Sequence, residues 1–180
     1  MKSGLLRRAL VVGLLAGTLI AGSAVISAPA NASWQGHFLV NVHTNTALDA
    51  DRNHWYSNGS LVWLWSRNGN PNQQWWAEYD SDVWTTIRTP GAPQGPAKCL
   101  DAWPDPSVAG GYKVSTWDCH GGTQQNWRLE RVSGVWETRR IRNQMFDLCL
   151  DTFWGSAPAD GRHVGLWPCH GNVNQMWTVF

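Results

Sequence analysis

Sustained helical periodicity is missing from this sequence: past the first thirty residues no apolar stripe recurs at helical spacing, which argues against an all-helical domain. Glutamate is scarce. Glu78, Glu130 and Glu137 are the only three, and they hold no equivalent positions, whereas glycoside hydrolysis needs two carboxylates placed across one bond. Neither G-x-S-x-G nor H-E-x-x-H occurs, so the signatures of serine hydrolases and zinc peptidases are absent. "CH" stands at 119 and again at 169 without a C-x-x-C or H-x-x-x-H beside it, and no metal or other cofactor is expected. One basic cluster, Arg139 to Arg142, reads as a solvated strand face, so nucleic acid is not an expected partner.

The N-terminus is of a different kind. Lys2, Arg7 and Arg8 precede a mostly apolar stretch from Ala9 to Ile26, and "SAPANA" follows, with Ala30 and Ala32 as the small residues a signal peptidase accepts. The expectation is a signal peptide over 1–32 and an exported domain over 33–180; the competing reading is an uncleaved anchor, because the apolar run approaches spanning length. No second hydrophobic span follows. Cleavage after Ala32 leaves 148 residues with 11 basic and 13 acidic side chains, a formal charge of −2, and a length that suits one domain.

Tryptophan is what the chain has in excess, fourteen in 180 residues. Its distribution is periodic. "LWSRNGNPNQQW" (64–75), "TWDCHGGTQQNW" (116–127) and "LWPCHGNVNQMW" (166–177) superimpose without a gap, and the frame extends back to residues 47, 99 and 149. Leu48, Leu100 and Leu150 coincide, as do Asp49, Asp101 and Asp151. A tryptophan opens each unit (Trp34, Trp84, Trp136), which places the repeats at about 34–83, 84–133 and 134–180.

A period near fifty fits a solenoid, a propeller or a closed threefold barrel. Short β-rich pieces decide among them: "HFLVNVH", "LVWLW" and "QQWWAEY" in the first unit, "VWTTIR", "YKVSTW" and "NWRLERV" in the second, "VWETRRIR", "HVGLW" and "MWTVF" in the third, with one more at each L-D. Twelve short strands fit an all-β closed barrel with a hairpin cap, because three units would leave a solenoid with two raw ends.

Three Q-x-W signatures (Gln73 and Trp75, Gln125 and Trp127, Gln175 and Trp177), each with L-D upstream, resemble the ricin-type β-trefoil lectins and related sugar-binding modules of secreted glycosidases, over nearly all of 34–180. The resemblance implies a β-trefoil in which these Gln and Trp are structural and the indoles fill the barrel core. It also implies a pocket in each repeat, built from the Asp of C-L-D, the aromatic of "LW", the residue after the second Cys, and the Asn before Q-x-W.

Four cysteines in an exported chain predict two disulfides, with three possible connectivities. Cys99 and Cys119 are twenty residues apart at positions equivalent to Cys149 and Cys169, and the first repeat has Ala47 and Arg67 there instead. Both partners being absent together is what pairing within a repeat predicts.

A sugar offers vicinal hydroxyls and an apolar C–H face, so its receptor needs a planar platform, a carboxylate accepting two hydroxyl hydrogens, and an amide or imidazole. The candidates are Asp151, Trp167, His170 and Asn174 in the third repeat, Asp49, Trp65, Asn68 and Asn72 in the first, and Asp101, Trp117, His120 and Gln124 in the second. Gln124 departs from the Asn of the pattern, so the expected order of competence is third, first, second. Trp55, Trp103 and Trp154 follow the L-D pairs as additional stacking surface. The reading is a secreted, non-catalytic lectin that engages galactose- or xylan-type glycans multivalently, and a monomer meets its requirements. A shallow pocket binds one sugar near millimolar, about −4 kcal/mol, and three can gain roughly 10² to 10⁴ through avidity. The alternatives are a trefoil inhibitor or protein-interaction module with degenerate sugar sites, and a small secreted glycoside hydrolase.

Overall fold

The computed structural model describes residues 36–79, 82–91, 95–135, 137–153 and 160–180; the predicted signal peptide and Trp34, Trp136 and Trp154 lie outside them. All described residues fall in one unit, Ser33–Phe180. Twelve strands form among the described residues, distributed unevenly. The first repeat contributes β1 (Leu39–Asn41), β2 (Ala47–Ala50) and β3 (Ser60–Trp65). The second contributes β4 (Thr85–Thr86), β5 (Cys99–Pro104), β6 (Tyr112–Trp117) and β7 (Asn126–Arg131). The third contributes β8 (Thr138–Asn143), β9 (Cys149–Asp151), β10 (Arg162–His163), β11 (Gly165–Trp167) and β12 (Met176–Val179).

Two readings of the sequence are corrected here. The strand expected at "QQWWAEY" is reduced to single bridges, Trp75 to His37 and Trp76 to Arg88. The strand expected at "HVGLW" splits, because β10 pairs with the first repeat while β11 pairs with β9 and the second repeat. A third correction concerns the basic cluster. Arg139 is 7 % exposed and donates from Nε to the Tyr79 carbonyl, while Arg140 and Arg142 pair with Glu130, so this strand face is not simply solvated.

The barrel ring runs β1–β12–β8–β7–β4 and closes through the Trp76–Arg88 and His37–Trp75 bridges. Above it, the hairpins β2–β3, β5–β6 and β9–β11 join one another through β3–β6, β6–β11 and β10–β3. Neither layer leaves a long free edge, which answers the hazard of an unpaired strand. Leu48, Leu100, Leu150, Trp75, Trp127 and Trp177, all fully buried, supply equivalent parts of the core. Strand periodicity decides which indoles enter it. In β3, Ser60, Val62 and Leu64 are buried, so Trp63 and Trp65 face outward together.

Each hairpin reaches over the next repeat. Asn58 Oδ1 accepts from the backbone N–H of Asp118 at 2.8 Å, and the equivalent Asp160 Oδ1 accepts from that of Ser66 at 2.6 Å. The third position of this set is Pro168, which has no N–H to offer, and the residue reaching toward it is Gly110. Gly110 has φ +80, and a Cβ there would lie 2.4 Å from the Leu166 carbonyl oxygen. One repeat therefore uses close backbone approach where the other two use a side-chain acceptor.

The disulfides join Cys99 to Cys119 and Cys149 to Cys169, each tying the strand that carries the L-D carboxylate to the segment after the outward indole. Each closes a twenty-residue separation, worth about 3 kcal/mol in the chain-entropy model. Replacing Cys149 and Cys169 together by Ala is expected to lower the unfolding free energy by that amount, read as an earlier urea midpoint.

Candidate functional site

The three L-D carboxylates are buried: Asp49 is 4 % exposed, Asp101 and Asp151 are 1 %. Each is held by the glutamine of its own Q-x-W. Gln73, Gln125 and Gln175 donate from Nε2 to Oδ2 of Asp49, Asp101 and Asp151 at 2.7, 2.6 and 2.8 Å. The same amide nitrogens donate to the carbonyls of Ser66, Asp118 and Pro168, and the amide oxygens accept the backbone N–H of Asn68, His120 and His170. The glutamine thus fixes acid and loop to each other. Its tryptophan anchors the whole from below, as Trp75, Trp127 and Trp177 donate from Nε1 to the carbonyls of Leu48, Leu100 and Leu150.

The remaining lone pairs differ from repeat to repeat. Asn72 donates from Nδ2 to Asp49 Oδ1 and to the Ala50 carbonyl, both at 2.8 Å, so its hydrogens orient the acid. Trp63, directly across the ladder from Asp49, adds an indole hydrogen bond to that carboxylate. Asn174 donates to Asp151 Oδ1 at 2.8 Å, where the backbone N–H of Phe153 also arrives at 2.5 Å. In the second repeat Gln124 does not take the place of these asparagines, and Asp101 Oδ1 is buried with no hydrogen-bond partner. Ser115 Oγ, across the ladder from Asp101, is also buried and unpartnered.

The outward indoles differ as well. Trp65 is 41 % and Trp167 45 % exposed, whereas Trp117 is half-buried and meets Trp103 edge-on at 4.6 Å between ring centroids. Trp55, expected as stacking surface, is 8 % exposed and belongs to the core. A cavity of about 250 Å³ opens in the first repeat. Asp49, Trp65, Asn68 and Asn72 line it, so all four candidates of that repeat meet there, and Asp51, Arg52, Asn53 and Trp63 complete its wall.

His120 and His170 lie over their acids, with Nε2 3.3 Å from Asp101 Oδ2 and 3.5 Å from Asp151 Oδ2. Nδ1 of each accepts a backbone N–H, from Gly122 and Asn172 at 3.2 Å. A neutral ring that accepts at Nδ1 carries its proton on Nε2, facing the carboxylate. In the first repeat Asn68 Oδ1 accepts the backbone N–H of Asn70 in the same way. Burial raises the Asp49 carboxyl to about 6, with the hydrogen bonds from Gln73, Trp63 and Asn72 pulling the other way and Asp51 adding to the rise. Burial also raises Asp101, opposed by Gln125 and His120.

Sequence reasoning missed Asp51, Arg52 and Asn53 as cavity residues, since nothing in the repeat frame marks them. It also missed Asn41 and Asn143. Asn41 Nδ2 donates to the carbonyls of Asn174 and Met176, and Asn143 Nδ2 to that of Gln124, so each supports the site turn of the preceding repeat around the ring. A signal existed: Asn41 with Asn45 and Asn143 with Asp147 share a spacing, and Asn45 and Asp147 both adopt positive φ. Among the described residues no helix is long and apolar enough to cross a membrane, and no group of three or more His, Cys, Asp or Glu could hold a metal ion.

Residues 83–180, the second and third repeats, match the ricin-type beta-trefoil lectin domain family. The chain belongs to that family. Its first repeat lies outside the match and is also the one without a disulfide. Among solved structures the lectin is similar to ThreeFoil, a designed threefold-symmetric protein, at 26 % identity and a TM-score of 0.65 over 79 % of this chain and 96 % of that one. It is also similar to a ricin B-like lectin from Macrolepiota procera, solved in complex with lactose, at 19 % identity and a TM-score of 0.61 over 81 % and 94 %. An exo-beta-1,3-galactanase from Clostridium thermocellum is similar at 22 % identity and a TM-score of 0.63, over 81 % of this chain and 30 % of the enzyme. No curated protein matches the chain.

Proposed function

We propose that this lectin is a secreted, non-catalytic protein that binds galactose- or xylan-type glycans through recesses made of an L-D carboxylate and an outward tryptophan, up to three per chain. The observation that carries the proposal is the first-repeat cavity. Asp49 forms part of its lining with its oxygens already oriented by protein donors, Trp65 offers an exposed indole face, and Asn68 has an amide nitrogen available for a hydroxyl. An oriented carboxylate beside a flat apolar face matches a pyranose, whose hydroxyls donate and whose C–H face stacks. A glycan array probed with purified protein tests it: signal should fall on galactose- or xylose-containing glycans and vanish on Asp49→Ala. Uniform silence, or signal indifferent to Asp49, would sink the proposal. Incubation with xylan or galactan should release no reducing sugar.

Binding in the first repeat should depend on pH. Hydroxyl donors need the ionised carboxylate, so with Asp49 titrating near 6 the dissociation constant should be flat above neutrality, double near pH 6 and rise about tenfold by pH 5. The same group acts on stability with a definite sign. Its folded value lies above the 3.8 of the free side chain, so between about pH 4 and 6 the folded state holds the extra proton; stability from this group is greatest below that window and declines as pH rises through it. Isothermal titration with lactose and xylotriose across pH 5 to 8, compared with Asp49→Asn, measures the first effect.

A further inference from the structure

The residue two places after each L-D acid is Asp51, Trp103 or Phe153, and its side chain sits differently against each recess. Asp51 Oδ2 lies 3.0 Å from His54 Nδ1 and its Oδ1 accepts the Asn53 backbone N–H, which leaves the cavity in front of Trp65 open. Trp103 instead packs edge-on against Trp117, at 4.6 Å and 78°. Phe153 stands edge-on to Trp167, at 6.2 Å and 86°. Its ring also takes the space next to the acid: Gly165 is the cross-strand neighbour of Asp151, and a Cβ at Gly165 would meet Phe153 Cζ at 2.9 Å. In the first repeat that neighbour is Trp63, and its indole donates to Asp49.

The acids do not carry this division by themselves, since Asp101 Oδ1 has no hydrogen-bond partner. A carboxylate has about four lone-pair directions. Asp151 Oδ1 takes Asn174 and the Phe153 N–H, and Oδ2 takes Gln175, so three donors are in place, with the His170 imidazole Nε2 3.5 Å from Oδ2. Asp49 has three donors, Asn72, Gln73 and Trp63, and retains one direction for a ligand. Phe153 makes its contact from φ +52, a backbone state that bulky residues rarely adopt and that glycine adopts freely.

Resting on the carbohydrate reading above, we propose that this position sets how many recesses accept a sugar: Asp51 leaves the first open, whereas Trp103 and Phe153 keep the second and third occupied by the protein's own aromatic rings. The chain is then monovalent as folded, although three acid and indole sets are written in its sequence. Phe153 is a positioning residue whose removal opens the third recess.

The test uses the purified protein, immobilised galactan and xylan, and free lactose and xylotriose. Phe153→Gly should raise apparent affinity for the polymer about 10²-fold, through a second point of attachment, while affinity for the free sugars stays within about twofold. Asp49→Ala should abolish binding, and adding Phe153→Gly to it should restore binding. Asp51→Phe should close the first recess and lower binding at least tenfold, a result that does not depend on how Phe153 variants fold. Three equivalent sugar sites in the unaltered protein, or no change with either Phe153→Gly or Asp51→Phe, would overturn the site count while leaving the carbohydrate reading intact, whereas full binding by Asp49→Ala would overturn both. Silence of the unaltered protein on every glycan would overturn both.

Discussion

Trp65→Ala is expected to reduce retention on galactan or xylan by about 10²-fold, whereas Trp167→Ala changes it less than twofold. Both indoles are exposed to a similar degree, 41 % and 45 %, so exposure alone predicts equal losses. The difference comes from what stands beside them. Trp65 fronts a cavity with Asp49 in its wall; Trp167 stands against Phe153, whose ring takes the space next to Asp151. If a sugar covers roughly 100 Å² of the Trp65 face, removing the platform costs about 2.5 kcal/mol at ~25 cal/mol per Å², which is more than half the strength of a millimolar site, about −4 kcal/mol. Affinity chromatography of the two variants, with near-ultraviolet circular dichroism to confirm folding, makes the comparison. Equal losses would place the working site elsewhere.

Trp127→Ala should destabilise the fold by about 4 kcal/mol or more, a loss that single domains seldom tolerate. Its indole is fully buried at the centre of the second repeat and donates to the Leu100 carbonyl at 2.9 Å. Truncation removes the packing and leaves that carbonyl without its donor, an additional cost of about 1–3 kcal/mol. Leu100 adjoins Asp101 in β5, so the loss extends to the acid. Trp127→Phe keeps most of the volume and loses the donor, and should fall between the two. Thermal and urea unfolding separate the three proteins, and an unchanged midpoint for Trp127→Ala would contradict the core assignment.

Much of the fold was legible because the repeat is gapless from 47 to 75, 99 to 127 and 149 to 177. Within that frame alternation along a strand sorts Trp65 outward, and a Gln two places before a buried Trp marks the residue that clamps the acid. With Ala47 and Arg67 standing where the other two repeats have cysteines, the sequence points to pairing within a repeat, which is how Cys99–Cys119 and Cys149–Cys169 are joined. The strand at Trp75 and Trp76 was less legible: its residues suit a strand, yet the barrel gives each only one bridge.

The expected order of competence, third, first and second, rested on residue identity, and identity carries no information on which hydrogen bonds an acid has already made. Asn174 matches the pattern, but the Phe153 N–H reaches the same oxygen. Asn72 matches it too, and there the neighbouring positions leave space. Repetition in the sequence determined a threefold trefoil, its two bridges and the grouping of an acid with an indole, because those depend on spacing along the chain. Only the tertiary structure decided how the space beside each acid is filled, since that depends on where the side chains two places after it and across the ladder come to lie.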